Sequence, residues 1–206
     1  VRFNELCNEA PSYYMWRILD QGRETIRENL AKLAGCYAEE IAINRNSTEA
    51  LETIIFGLNL KSGDEVVVSK FDYPNMINSW KQRVKRDGVV LKYAKLDMPM
   101  EDDKEIVKRY TDQRTSKTKI VHITKVINWT GQILPVKKIT QAAHKRGAEV
   151  IVDGAHAYAH IDFSLRDLNC DYFGTSLHKW LCAPFGTGFM FVKKEKIPAM
   201  WTMFSN

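Results

Sequence analysis

The sequence predicts an α/β protein, a three-layer α/β/α sandwich on a mainly parallel mixed sheet, and three observations lead there. Short runs rich in β-branched and aromatic residues alternate with stretches whose apolar residues recur at helical spacing. The 206 residues suit one large domain, against a usual ~100–200 residues per domain. Hydrophobic residues make up 45% and charged residues 27%, the balance of an ordinary globular chain, and no apolar run approaches the ~20 residues that cross a bilayer.

The first element is a long amphipathic helix over 12–34, where Met15, Leu19, Ile26, Leu30 and Leu33 share a helical spacing and Gly35 follows as a stop signal. Residues 1–40 therefore read as an N-terminal helical segment and 41–206 as the large domain. Strands are expected at 65–69, 89–93, 119–124, 149–153, 172–176 and 188–192. Helical patterns fall between several of them, at 48–58, 75–86, 102–110 and 136–146. Sheets of this kind bind ligands beyond the carboxyl ends of their strands, so the informative residues are those that follow strands.

The net charge of +5 is spread among acids except over 104–119, which is more basic and reads as a solvated helix end and loop. Neither a nucleic-acid partner nor a membrane is expected. Cys7, Cys36, Cys170 and Cys182 show no CxxC pair and no metal-ligand spacing, so they read as free thiols in a reducing compartment, the cytoplasm. Cys182 in particular reads as a small buried hydrophobe. His156 and His160 stand four apart, but no glutamate lies between them and no third ligand is apparent, so no metal is expected. The chain opens at Val1 without a charged-then-apolar leader, and its last stretch, KEKIPAMWTMFSN, has no evident closing element. A fragment of a longer protein is the expectation.

Two strand ends carry reactive groups. Strand 149–153 delivers Asp153 into Gly154, Ala155 and His156, where the small Gly154 and Ala155 allow close approach to a ligand. Strand 172–176 leads into Leu177, His178, Lys179 and Trp180, and a buried lysine among aromatics has a lowered pKa and acts as a nucleophile. Taken singly these residues have plain explanations. Asp153, Ser47 or Thr48 could cap a helix, Tyr73-Pro74 could form a turn, and Lys179 could be only a lysine beside a tryptophan.

The order of the residues is more specific. An aspartate, then Ser-x-His-Lys after a further strand, resembles the class V aminotransferase family of pyridoxal-5′-phosphate (PLP) enzymes of fold type I, which includes cysteine desulfurases and isopenicillin N epimerase-like enzymes. The resemblance extends over nearly the whole chain. It implies that Lys179 carries PLP as a Schiff base and that Asp153 contacts the pyridine nitrogen. The segment Arg45-Asn-Ser-Thr-Glu-Ala-Leu resembles the phosphate-binding turn, with Ser47 and Thr48 as contacts, and Ser176 and His178 match residues that also reach the phosphate. Tyr73 stands where desulfurases carry a ring-stacking histidine. Asn128 matches the asparagine on the phenolic oxygen, and His156 a second polar neighbour of that edge. Gly186-Thr-Gly188 falls near the cofactor and the dimer interface.

The resemblance thus implies an enzyme acting on an amino-acid substrate by loss of an α-proton, with a site completed across a homodimer. The Asp72-Tyr-Pro-Asn and Asn128-Trp-Thr-Gly wording lies nearer the epimerase-like branch. A cysteine desulfurase or carbon–sulfur lyase is the alternative, and a non-catalytic dimerisation or binding remnant of the fold is the rival from another class. Family members continue into a smaller C-terminal domain, which is absent here.

Overall fold

The computed structural model describes residues 2–201. A seven-stranded sheet has the order β1-β7-β6-β5-β4-β2-β3. Its strands are β1 (Ile41–Asn44), β2 (Glu65–Ser69), β3 (Val90–Ala94), β4 (Thr118–Thr124), β5 (Glu149–Asp153), β6 (Tyr172–Ser176) and β7 (Gly188–Val192). The pairs from β3 through β2, β4 and β5 to β6 are parallel, and only β7 runs against its neighbours. The mainly parallel mixed sheet is as the sequence predicts.

The helices are α1 (Arg2–Glu9), α2 (Asp20–Ala34), α3 (Ser47–Gly57), α4 (Pro74–Asp87), α5 (Asp103–Asp112), α6 (Val136–His144) and the short α7 (Leu165–Leu168). Strand side chains alternate between faces, and the core divides accordingly. Val66, Val68, Ile120, Ile151 and Tyr172 pack with Leu51, Ile54 and Ile55 of α3 and Met76 and Trp80 of α4. The intervening Val67, Val121, Ile123, Val150, Val152 and Phe173 pack on the other face with α2, α5, α6 and α7. Three layers result. Gly174 in β6 seats α3 tightly, since a Cβ there would lie 2.7 Å from Leu51.

The N-terminal helix differs from its expectation. Residues Ser12–Leu19 form π-helical turns before α2 begins, and of the apolar residues at helical spacing only Leu30 is buried. Met15, Leu19, Ile26 and Leu33 are exposed, while Ala31 and Ala34 join Leu30 in the core. Gly35 does end α2, in the left-handed conformation at φ 69°, with its N–H returned to the Ala31 and Lys32 carbonyls. The strand β1 has no counterpart among the expected ones. It is four residues long and exists by pairing with β7 in the register Ile41 to Phe191.

Candidate active site

The carboxyl ends of β2, β4, β5 and β6 open onto one cleft of about 230 Å³. β5 supplies Asp153, which is buried and accepts the Ala155 N–H at 2.9 Å. Gly154 lets the chain turn at once, because a Cβ there would lie 1.9 Å from the Phe173 ring of β6. The close approach it permits is therefore to the core and not to a ligand. The turn that follows brings His156 to the cleft wall.

β6 ends at Ser176, and the loop after it carries His178 and Lys179. Lys179 Nζ lies 3.0 Å from His156 Nε2. Burial lowers the Lys179 pKa, with the Asp153 carboxylate pulling the other way, so a neutral amine is more accessible than in water. Burial likewise lowers His156, helped by the positive charge of Lys179 and then His160. Asp153 is raised by burial, against the Ala155 N–H and Lys179. His178 Nδ1 donates to the Thr187 carbonyl at 3.3 Å, which pins its ring.

The amino terminus of α3 forms the opposite wall. Asn46 caps it by accepting the Glu49 N–H at 2.9 Å. The Ser47 N–H donates to Ser176 Oγ at 2.8 Å, and the Ser176 hydroxyl donates to Ser47 Oγ at 3.0 Å. A hydroxyl from β6 is thereby locked against the helix end, where the helix dipole favours an anion. Tyr73 caps α4 ahead of Pro74 and turns into the cleft, and Asn128 reaches it from the tip of the loop closed by the Val126–Ile133 bridge.

Behind Tyr73 lies Asp72, a residue quoted in the sequence motif without a role. Its buried carboxylate accepts from the Ser69 N–H at 2.6 Å, the Thr124 N–H at 3.0 Å and the Thr124 hydroxyl at 2.7 Å. Burial nonetheless pushes it up to about 7, and Asp153 adds to the rise.

Ser47, Thr48, Tyr73, Asn128, Asp153, His156, Ser176, His178 and Lys179 all line this cleft. Asn46, Thr124 and Ala155 line it too; Asn46 and Ala155 fall within segments the sequence singled out but were assigned no contact, and Thr124 was not expected. Asn46 was legible as an Asn-x-x-Glu helix start; Thr124 is set by the register that places it beside Asp153. Cys182 is not a buried hydrophobe: it is exposed, in the left-handed conformation at φ 55°, just past the turn that follows Lys179. A larger cleft of about 470 Å³ lies beyond β1, between Ile41, Met190, Ile197 and Trp201, away from Lys179 and Asp153. Among the described residues no cluster of His, Cys, Asp and Glu could hold a metal, and no helix is long and apolar enough to cross a membrane.

A family model, aminotransferase class-V, matches residues 14–205. The chain belongs to the class V aminotransferase family. Relatives of this class V chain include a probable cysteine desulfurase of Synechocystis sp., 33% identical over 181 residues, covering 86% of this chain and 42% of that protein. The isopenicillin N epimerase of Streptomyces clavuligerus is 33% identical over 164 residues, covering 80% and 41%. The solved complex of the cystine C–S lyase C-DES with cysteine persulfide shares the fold at a TM-score of 0.90 and 21% identity, over 97% of this chain and 54% of that one. The chain spans under half the length of these two curated relatives. The family is one of PLP-dependent enzymes.

Proposed function

We propose that this chain is the PLP-binding domain of an enzyme acting on an amino acid, with Lys179 as the covalent anchor of the cofactor. The observation that carries the reading is the meeting of Lys179, Asp153 and the capped end of α3 in one cleft at the carboxyl ends of the strands. The donor set fits the group. Ser47, Thr48, Ser176 and His178 hold the phosphate at the α3 amino terminus. Asp153, buried and with no cation at ion-pair distance among the described residues, keeps a proton on the pyridine nitrogen. Tyr73 covers a ring face, and Asn128 and His156 take the phenolic edge.

When bound, PLP supplies an electron sink for negative charge at the α-carbon of an amino acid. Lys179, its amine made available by burial, is the group placed to take and return the α-proton. Residues such as Trp129 and Phe185, 69% and 92% exposed, fit a homodimer that completes the site. The free cysteines fit a reducing cytoplasm.

The Asp72-Tyr-Pro-Asn and Asn128-Trp-Thr-Gly segments favour an epimerase-like reaction. The equally similar desulfurase relative supports a second reading, cysteine desulfuration or C–S lysis. Sulfide release from cysteine separates the two. The primary test is to add PLP to the purified chain, dialyse, record the visible spectrum, reduce with borohydride and map the modified peptide. A yellow, reducible adduct on Lys179, lost in Lys179→Ala, is expected. A folded chain with no adduct, or one unaffected by the substitution, overturns the reading in favour of a non-catalytic module.

A further inference from the structure

Both ring nitrogens of His156 are engaged. Lys179 Nζ lies 3.0 Å from Nε2, and Trp180 Nε1 lies 3.4 Å from Nδ1. An indole nitrogen can only donate, so Nδ1 is the acceptor and carries no proton. A neutral imidazole has one proton, which is therefore on Nε2 and directed at Lys179. That contact requires the amine to accept, and only an uncharged amine has a lone pair to do so. The reverse arrangement, an ammonium donating to Nε2, puts a proton on Nδ1 against the indole N–H and loses that hydrogen bond.

We infer that Trp180 is a positioning residue whose indole N–H holds His156 in the Nε2–H tautomer, so that His156 offers the cleft a donor and Lys179 stands beside it as the free amine.

Trp180 is itself held. Its ring stacks on His160 at 3.7 Å between centroids and 5° between planes. His160 Nδ1 lies 2.9 Å from the His156 carbonyl, which can only accept, so His160 donates there and its ring is tied to the same turn. The residue following Lys179 is thus fastened to the residue contacting Lys179. The charged and titratable groups facing this pair are Asp153 from β5, His160 from the turn and Lys179 itself. Burial disfavours the cationic forms of both His156 and Lys179, in keeping with a neutral pair. The tautomer follows from the protein's own contacts. Its use, as a donor to the phenolic edge of PLP, rests on the proposed function.

The test is a long-range 1H–15N correlation spectrum of the histidine-labelled chain without PLP, with His156→Gln to assign the resonances. One pyridine-like nitrogen at Nδ1 and one pyrrole-like nitrogen at Nε2 are expected. Trp180→Phe keeps a ring over His160 and removes the N–H, and the two nitrogen shifts then converge through tautomer exchange. Lys179→Met leaves the wild-type pattern in place. An Nδ1–H pattern in the wild-type protein overturns the inference whether or not the variants fold. So does a Trp180→Phe spectrum identical to wild type, or a pattern lost in Lys179→Met, which would make the lysine the determinant. None of these outcomes depends on PLP attachment, so failure of the cofactor reading stays distinguishable.

Discussion

The sheet has buried or half-buried acids at both ends of its strands, Glu149 and Asp171 at the amino ends of β5 and β6, Asp153 and Asp72 at the carboxyl ends of β5 and β2, and the two ends treat them differently. At the amino ends, Asp171 meets His144 Nε2 at 2.7 Å and the Val150 N–H at 2.7 Å, while Glu149 meets Lys196 at 2.6 Å and the Tyr172 hydroxyl at 2.8 Å. At the carboxyl ends, Asp153 has one backbone N–H, and nearby Asp72 has three donors and no cation at ion-pair distance among the described residues. Burial raises both of these carboxyls. One end of the sheet is electrically finished by the chain's own residues. The other leaves two buried carboxyls without a cation at ion-pair distance among the described residues, the kind of departure from local consistency that marks candidate sites.

The strongest way to break this contrast is Asp153→Asn. If Asp153 is reserved for a bound cation, removing its charge has opposite effects on binding and on stability. Loss of one member of a buried charge pair costs ~3–5 kcal/mol, so PLP retention is expected to fall at least a hundredfold in equilibrium dialysis. The same change relieves an uncompensated buried carboxylate, and PLP-free protein is expected to gain ~0.5–2 kcal/mol in urea unfolding. Loss of stability with unchanged PLP binding would make Asp153 structural, like Asp171.

Asp72 sharpens the contrast through pH. A carboxyl ordinarily at 3.8 and held at about 7 in the folded protein binds its proton more tightly when folded. Its stabilising contribution is complete below its ordinary value and is lost as pH rises through about 7. A tenfold difference in proton affinity is ~1.4 kcal/mol, so the slope is on the order of kcal/mol. Asp72→Asn is expected to flatten the fall in the urea midpoint between pH 4.5 and 7.5. Parallel curves for variant and wild type would mean that the Ser69 and Thr124 donors fully offset burial.

Strand and helix periods made most of the sheet and its helices legible, and the ordered Asp153, Ser176, His178 and Lys179 made the cleft legible. What escaped was set by distant partners. Ile41–Asn44 is too short to announce a strand and becomes one only against β7. The spacing of Met15, Leu19 and Ile26 is helical, yet period alone cannot say that nothing among the described residues covers that face. Cys182 sits between Leu181 and Ala183 in an apolar-looking stretch, but its left-handed backbone belongs to an exposed turn. Asp72 and Thr124 meet across 52 positions of sequence, a contact no local pattern encodes.

The smallest effect is expected at the finished end. Lys196 is partly exposed, pairs with Glu149 at 2.6 Å and stands 4.0 Å from Asp171. In Lys196→Met, Glu149 keeps the Tyr172 hydroxyl and Asp171 keeps His144 and the Val150 N–H, so neither acid is stranded. A half-exposed pair with such backing contributes ~0.2–1 kcal/mol, which urea unfolding resolves. PLP affinity is expected to stay within about twofold, since a pair that contributes so little has little to transmit. A tenfold change in PLP affinity would mean that β5 and β6 couple their two ends, and Asp153 could then no longer be treated as independent of Glu149 and Asp171.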